Sequence, residues 1–320
     1  MEPITLELVY PDGQVNRLSH PLSVSVVRTL ESPAQSLSAS FPIVRGLLPG
    51  IAVGVRLLRG GVEVFSGFCD QQVTREDGEG RSFSVQARSR GGLLLDNEAL
   101  PRTYYNITAR ELFRQHLRPY GFTGLSIPRD QEAGIFTVSK GLCEWEVFSA
   151  FCMRAFGRYP VIGRGDRVVV EERSSTPVVK VTNRPGEEGL RYLRVEDTLR
   201  RASVISEMVL RDHQGSYSRR LGNPFGNPWQ AQRRRYVIPA AEYATVPLAD
   251  GYQQFLTAQR GVHVAEAVLP GWADLWPGDC VEMDTGGIGR QGNMTLWRCC
   301  WSRTAQGEYT TLTLTSRVYS

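Results

Sequence analysis

Apolar and polar residues alternate along the first part of the chain. Val53, Val55 and Leu57 take every second position, as do Val62 and Val64, then Phe83, Val85 and Ala87. A period of two places one set of side chains on each face of a strand. Turn sequences divide these runs: Pro11-Asp12-Gly13, Arg59-Gly60-Gly61 and Asp77-Gly78-Glu79-Gly80. Residues 1 to about 95 therefore read as short strands at regular spacing, the pattern of a barrel or sandwich.

The period changes after Leu93-Leu94-Leu95-Asp96. Thr108-Ala109-Arg110-Glu111 is a capping box, and Leu112, Phe113, His116 and Leu117 then share one helical face until Pro119. A second helix is predicted from Glu144 to Phe156. Trp145, Phe148, Phe151, Cys152 and Ala155 supply its apolar stripe and Gly157 ends it. A hairpin follows, Tyr159 to Ile162 and Arg167 to Glu172, around Gly163-Arg164-Gly165-Asp166. Alternation returns between 191 and 212, at Leu193 and Val195, then Val204, Ile205, Met208 and Leu210. Ser216 to Gln232 reads as a long polar loop, Asp250 to about Gly261 as a helix, and the remainder as at least four strands.

The first and last β segments share a pattern. Leu48-Pro49-Gly50 precedes one alternating strand and Trp276-Pro277-Gly278 another. Each strand leads through a glycine turn to a second, Val62 to Phe68 and Met294 to Trp301. Each copy closes alike, Val85-x-Ala87-x-Ser89-Arg90 and Leu312-x-Leu314-x-Ser316-Arg317. The expected fold class is thus α+β, mainly β: two similar β-barrel domains with an inserted α/β module. The expected domains are 1–100, 101–190 and 191–320, with 236–265 packing on the last barrel or on the middle module.

Composition narrows the function. With 41% hydrophobic and 22% charged residues the chain reads as globular. No apolar run approaches the ~18 residues of a membrane span. The start, Met1-Glu2-Pro3-Ile4, lacks the basic and apolar regions of a signal peptide. Cys69, Cys143, Cys152, Cys280, Cys299 and Cys300 form no C-x-x-C pair, and four histidines show no metal spacing. No cofactor or metal is expected. Net charge is +4, but residues 191–235 hold ten arginines and four acids, while 236–320 hold five arginines and eight acids. The basic excess suits an acidic protein surface or nucleic acid.

Gly287-Ile288-Gly289-Arg290-Gln291-Gly292 matches the dinucleotide fingerprint, but a strand follows it, so a hairpin loop is expected. Glu144 and Glu146 point in different directions on a helix and suit its positive end better than acid/base catalysis. No motif anchors nucleophilic or metal chemistry. The candidate contact residues are Arg219, Arg220, Phe225, Trp229, Arg233, Arg234 and Arg235. Three readings stand for them: a solvated loop, a subunit or partner contact, and a nucleic-acid surface.

Taken in order, these segments resemble the baseplate hub proteins of contractile-tailed phages, the late control protein D and Mu-like tail hub group. The resemblance is carried by Leu48-Pro49-Gly50 with its strand, Val62 to Asp70, and Val85 to Arg90 leading to Leu94-Leu95-Asp96. Asn106 to Leu112, Tyr120-Gly121-Phe122, Phe156-Gly157, and Gly271-Trp272 with Leu275 to Asp279 continue it. Ser89-Arg90-Gly91 stands where the family usually has a Gly-Arg-Asp-like turn. The resemblance implies a non-enzymatic structural hub, a homotrimer joining a six-fold tail tube to a three-fold spike. Its implied partners are itself, tube, spike and other baseplate proteins, with DNA passing through the central channel. Its implied place is the virion tail baseplate, after assembly in the host cytoplasm. The alternatives are a tail-associated cell-wall hydrolase and a carbohydrate- or nucleic-acid-binding β protein.

Overall fold

The structure is a computed structural model that describes residues 2–43, 50–78, 80–170, 179–212, 214–238 and 247–316. Leu48, Pro49, Glu79, Glu171, Glu172, His213 and Arg317 of the sequence patterns above lie outside the described residues.

The chain is mainly β, 49% strand against 16% helix. Its first segment supplies β1 (Ile4–Val9), β2 (Val15–Ser19), β3 (Ser23–Thr29), β4 (Ser36–Pro42), β5 (Gly54–Arg59), β6 (Val62–Asp77) and β7 (Gly80–Arg88). The central segment supplies α1 (Gly91–Asp96), β8 (Arg102–Tyr105), α2 (Ala109–His116), β9 (Leu125–Ser126), β10 (Ile135–Val138), α3 (Glu144–Phe156), β11 (Val161–Ile162) and β12 (Val168–Val169). The last segment supplies β13 (Val179–Thr182), β14 (Arg194–Leu199), β15 (Glu207–Arg211), β16 (Tyr217–Gly222), β17 (Arg234–Val237), α4 (Pro247–Arg260), β18 (His263–Pro270), β19 (Cys280–Thr285), β20 (Gly289–Thr304) and β21 (Gly307–Ser316).

Thirteen strands form one sheet made of two matching halves. Laterally the first half runs β3-β4-β7-β6-β5-β1 and the second β14-β18-β21-β20-β19-β13. The six positions occur in the same chain order in both. The match extends to irregularities. The β6/β7 hairpin bulges between Cys69 and Gln71, opposite Ala87 and Gln86. The β20/β21 hairpin bulges between Leu296 and Arg298, opposite Leu314 and Thr313. One constant spacing along the chain relates every position of the two hairpins, including the closing pairs Asp77–Gly80 and Thr304–Gly307. A bulge re-aims a strand, so its recurrence marks the same local bend in both halves.

Burial repeats as well. Leu37, Ala39 and Phe41 of β4 are buried like Ala265, Ala267 and Leu269 of β18, and Pro42 and Pro270 follow. Three differences remain among the described residues. The thirteenth strand, β2, pairs outside β1 and has no counterpart beside β13. β1 pairs antiparallel with β5, whereas β13 pairs parallel with β19. The second half also carries β15, β16, β17 and α4 between its second and third sheet strands.

Long strand β20 joins the halves. One edge holds β19 along Gly289 to Thr295 and β3 along Arg298 to Arg303. Trp301 consequently enters the core of the first half, with Leu6, Leu8, Phe41, Leu57 and Val85. Val281, Met283, Leu296, Leu312 and Leu314 form the second core. Arg28 of β3 binds Asp274 and the Leu275 carbonyl across the junction, both at 3.3 Å.

Helices α2 and α3 form where the spacing predicts them, whereas α1 has no counterpart in the sequence reading. Thr108 and Glu111 make the capping box of α2, and Gly157 ends α3 in the left-handed region at φ 67°. Phe113 and Phe148 meet edge to face between α2 and α3, with Leu112, Leu117 and Phe122 beside them. The predicted hairpin after α3 is short, and its β12 also pairs parallel with β9. Arg88 forks onto Asp70 and Asp96, tying β6 to the end of α1. Gly287 lies in the β19–β20 turn, and Arg290 to Gly292 already belong to β20, so no helix follows the glycine string.

Burial also sets thiol chemistry. The Cys299 thiol is pushed up to about 12, mainly by desolvation, and Cys152 rises well above the ordinary thiol range. Both are neutral at mild alkaline pH, and only thiolates alkylate readily. Iodoacetamide at pH 8, read by intact mass and peptide mapping, is expected to label partly exposed Cys69, Cys143 and Cys300 before Cys152, Cys280 and Cys299. Equal labelling of Cys152 or Cys299 in the folded protein would contradict their burial.

Candidate partner-contact surface

The candidate residues gather on a small sheet, not in one continuous loop. Strand β15 lies between β16, antiparallel, and β17, parallel. Met208, Leu210 and Val237 bury one face under Phe255 of α4. Helix α4 thus packs on this sheet through Phe255 and also against β18, and its end reaches Trp297, where the Arg260 guanidinium stands 4.4 Å above the ring.

Register distributes the arginines. Arg220 lies opposite Val209, and Arg234 opposite Glu207, on the face away from α4. Arg219 and Arg235 lie opposite Leu210 and Met208, on the α4 side, and both are exposed. The predicted loop, Ser216 to Gln232, is corrected here: Arg219 and Arg220 sit within β16; Arg234 and Arg235, which follow that stretch, sit within β17. The predicted loop overlooked this strand because β16 exposes polar side chains in succession and so lacks alternation.

Glu207 gathers two of the cations, Arg220 at 3.1 Å and Arg234. Their hydrogen bonds and charge, Arg234 first, hold its carboxyl below the usual range. A depressed carboxylate contributes above its unfolded pKa and loses that contribution as pH falls through the folded one. This clasp is therefore intact at neutral pH. Among the described residues Arg219 and Arg235 have no acidic partner. Arg233 donates to the Ala202 carbonyl.

The connection holding Phe225 and Trp229 is fixed by side-chain amides. Asn223 Oδ1 accepts from the Phe225 N–H, and Asn227 bonds both backbone groups of Ala231. Arg201 donates to the Trp229 and Gln230 carbonyls. Phe225 packs on the core beneath α4, while Trp229 is exposed. Phe225 and Trp229 thus do not form one aromatic patch. The exposed aromatic pair is Tyr217 with Tyr236, ring centroids 5.2 Å apart, beside Arg220 and Arg234. Sequence reading passed over these tyrosines; the strand-favouring Tyr236-Val237 after the arginine run was the available signal.

Two other features lie in the central segment. Glu144 is buried with His116, Nδ1 to Oε2 at 2.6 Å, while Tyr104 and Tyr120 bond the far side of each. Desolvation leads the causes that raise both phenols. Every member has a partner, and His116 and Glu144 are buried with only Tyr120 partly exposed, so the group braces α2 against α3. Glu146 accepts from the Cys143 N–H instead, which separates the two glutamates as their spacing predicts. A cavity of about 520 Å³ opens between α3, α4 and β20, lined by Trp145, Glu146, Ser149, Tyr159, Arg260 and Trp297 among others. No group of three or more metal-ligating side chains occurs among the described residues.

No family model matches the sequence, and no curated protein matches it. The fold is shared with solved structures. A tail protein from Neisseria meningitidis MC58 superposes with a TM-score of 0.77 at 17% identity, over 98% of this chain and 96% of that one. The 43 kDa tail protein of prophage MuSo2 from Shewanella oneidensis gives 0.79 at 14%, over 99% and 98%. An E. coli component of the type VI secretion system, described as similar in structure to T4 bacteriophage tail proteins gp27 and gp5, gives 0.51 at 12%, over 94% and 74%. At these identities the likeness is one of fold.

Proposed function

We propose that this chain is a structural component of a phage or phage-derived contractile tail, acting as the baseplate hub. In this reading three copies form a closed ring. Each offers two look-alike β modules, so the ring presents six near-equivalent surfaces to a six-fold tube and keeps three-fold symmetry toward a spike. The single observation that carries the reading is the repeated six-strand order with its repeated bulge. An asymmetric enzyme has no need of a duplicated scaffold, whereas a symmetry adaptor does. The fold likeness to tail proteins over nearly the full chain agrees with it.

The proposed units are 1–100 and 191–320 as ring modules, the second completed by β13, and the rest of 101–190 as a brace toward neighbouring baseplate proteins. The sheet carrying Arg219, Arg220, Arg234 and Arg235, with Phe225, Trp229 and Arg233 in its connection, is the proposed contact with acidic tube or spike surfaces or the channel lumen. DNA passes through the channel without being read, and the site of action is the tail baseplate of the particle.

Light scattering and negative-stain images of the purified protein test this. The expected mass is three times the 35.7 kDa of the chain, with a central channel. A monomer at micromolar concentration that binds neither tube nor spike protein would remove the proposal. A second reading, a tail-borne cell-wall hydrolase, has one observation in its favour: Glu31 and Glu146 both line the aromatic cavity. Glycoside hydrolysis uses paired carboxylates. Clearing of peptidoglycan in a zymogram, lost in Glu31→Gln, is what that reading requires.

A further inference from the structure

The junction inside the chain is a template for a junction between chains. Strand β3, the outer strand of the first half, pairs antiparallel with the later part of β20 in the second half. The matching outer strand of the second half is β14, which among the described residues pairs with β18 alone. The strand matching β20 is β6. Past Phe68 its only strand partner among the described residues is β7; Gly50 to Val53 bonds Cys69 and Gln72, and along 73–77 no described residue pairs with the other edge. Besides its far end, β2 or β13, each half therefore has one outer strand next to the junction side, β3 or β14, and one receiving edge. The chain uses one of each internally and leaves one of each at the surface.

We propose that β14 of one copy adds to the open edge of β6 in the next copy, in the register that β3 takes on β20. That register can be transferred residue by residue. Ser23 lies opposite Ser40, and Ser40 opposite Ser84. Arg194 lies opposite Val268, and Val268 opposite Thr311. Ser84 and Thr311 hold the same place in their hairpins, so Ser23 corresponds to Arg194 and Ser25 to Glu196. On the receiving strand Ser302 corresponds to Arg75, because their hairpin partners Tyr309 and Ser82 correspond. Ser25 faces Ser302 in the template, so Glu196 faces Arg75 between copies. By the same step Arg194 faces Asp77 and Thr198 faces Val73.

Nothing in the transfer uses charge, yet it sets opposite charges face to face twice. Opposite charges directly across a strand pair stabilise it, and like charges weaken it. Glu196 has Glu266 directly opposite on β18, and Glu266 already holds Arg194 at 2.9 Å, so Arg75 on the far side of Glu196 would continue a row of alternating charge. Glu196 and Arg75 are exposed, as are Leu199 at 63% and Val73 at 40%. Sheet edges are otherwise guarded against random pairing, and these charged edges admit only a matching one. The contact is head-to-tail, so it closes into a ring when the rotation between modules repeats. Closure at three copies rests on the hub reading above; the strand pairing does not.

The test is a disulfide between copies of Arg75→Cys/Glu196→Cys. Directly opposite residues in an antiparallel pair stand about 4.5–5.5 Å apart at Cα, within disulfide reach. Mild oxidation of the full chain, followed by non-reducing gel analysis, is expected to give covalent multimers. Neither single variant nor the out-of-register Val73→Cys/Glu196→Cys should do so. Arg75→Glu is expected to raise the concentration needed for assembly about tenfold, and Glu196→Arg in the same chain to restore it. A trimer that yields no 75–196 cross-link, and that Arg75→Glu leaves intact, overturns the strand pairing while the hub stands. A cross-linked species of another copy number keeps the pairing and overturns the three-copy ring. A monomer without cross-links overturns both.

Discussion

Arg28→Ala is expected to lower stability by about 3–5 kcal/mol, read as a fall in the urea midpoint with early exchange of β3 and β20 amides. The side chain is only 6% exposed and lies between two indoles, 4.2 Å from the Trp276 centroid and 5.5 Å from that of Trp272. It donates to Gln35, Asp274 and the carbonyls of Leu275 and Val64. Burial, the largest influence, pushes its pKa down, so the charge is retained against a desolvation cost. Truncation leaves two carbonyls without their donor and a gap between the rings, each a cost of about 1–3 kcal/mol. Asp274 keeps Arg164 at 2.7 Å, so an orphaned charge does not add to the loss. Arg28→Met should recover part of the stability by filling the gap, and Arg28→Lys less, because one ammonium cannot span four acceptors. An alanine variant within about 1 kcal/mol of the parent would show that the junction does not depend on this residue.

Much of this architecture is legible in local periodicity. Val85-x-Ala87 and Leu312-x-Leu314 announce equivalent strands because alternation is a property of neighbouring residues, and both pairs are buried as it requires. The capping box at Thr108 and the stop at Gly157 are local in the same sense. What joins the halves is not local. Nothing near Trp301 indicates that it belongs to a core built from residues 4–87, since that placement follows from β3 pairing with β20 across the chain. Glu144 shows the same limit. In sequence it is a first-turn acid that suits the helix dipole; in the fold it is buried against His116, 28 positions away.

The candidate surface divides along the same line. Arginine density over 191–235 is compositional and survives as an exposed basic sheet. The strands that order it were hidden by uniform polarity in β16. The pairing of Arg220 and Arg234 with the single carboxylate of Glu207, which offsets one of their two charges, was hidden because ion pairs across strands depend on register. The basic character available to a partner therefore rests most on Arg219 and Arg235.

Trp301→Ala is expected to cost about 3–5 kcal/mol, the range for deleting a buried large aromatic. Trp301 is 2% exposed, stands edge to face with Trp272 at 5.0 Å, and donates from Nε1 to Glu308 at 3.1 Å. Glu308 is itself buried and then depends on Arg59 alone, at 2.9 Å. The loss falls on both halves at once, because the side chain fills the first core while its backbone belongs to β20, opposite Val26. Denaturant unfolding with hydrogen exchange should therefore show β3 and β20 loosening together. Trp301→Phe keeps most of the ring volume and removes the donor, so a smaller loss of about 1–2 kcal/mol is expected. Trp272 touches both Arg28 and Trp301, so the double variant Arg28→Ala/Trp301→Ala should lose less than the two single losses combined. A Trp301→Ala loss below about 1 kcal/mol, or exchange confined to β20, would mean that the two halves are held together elsewhere.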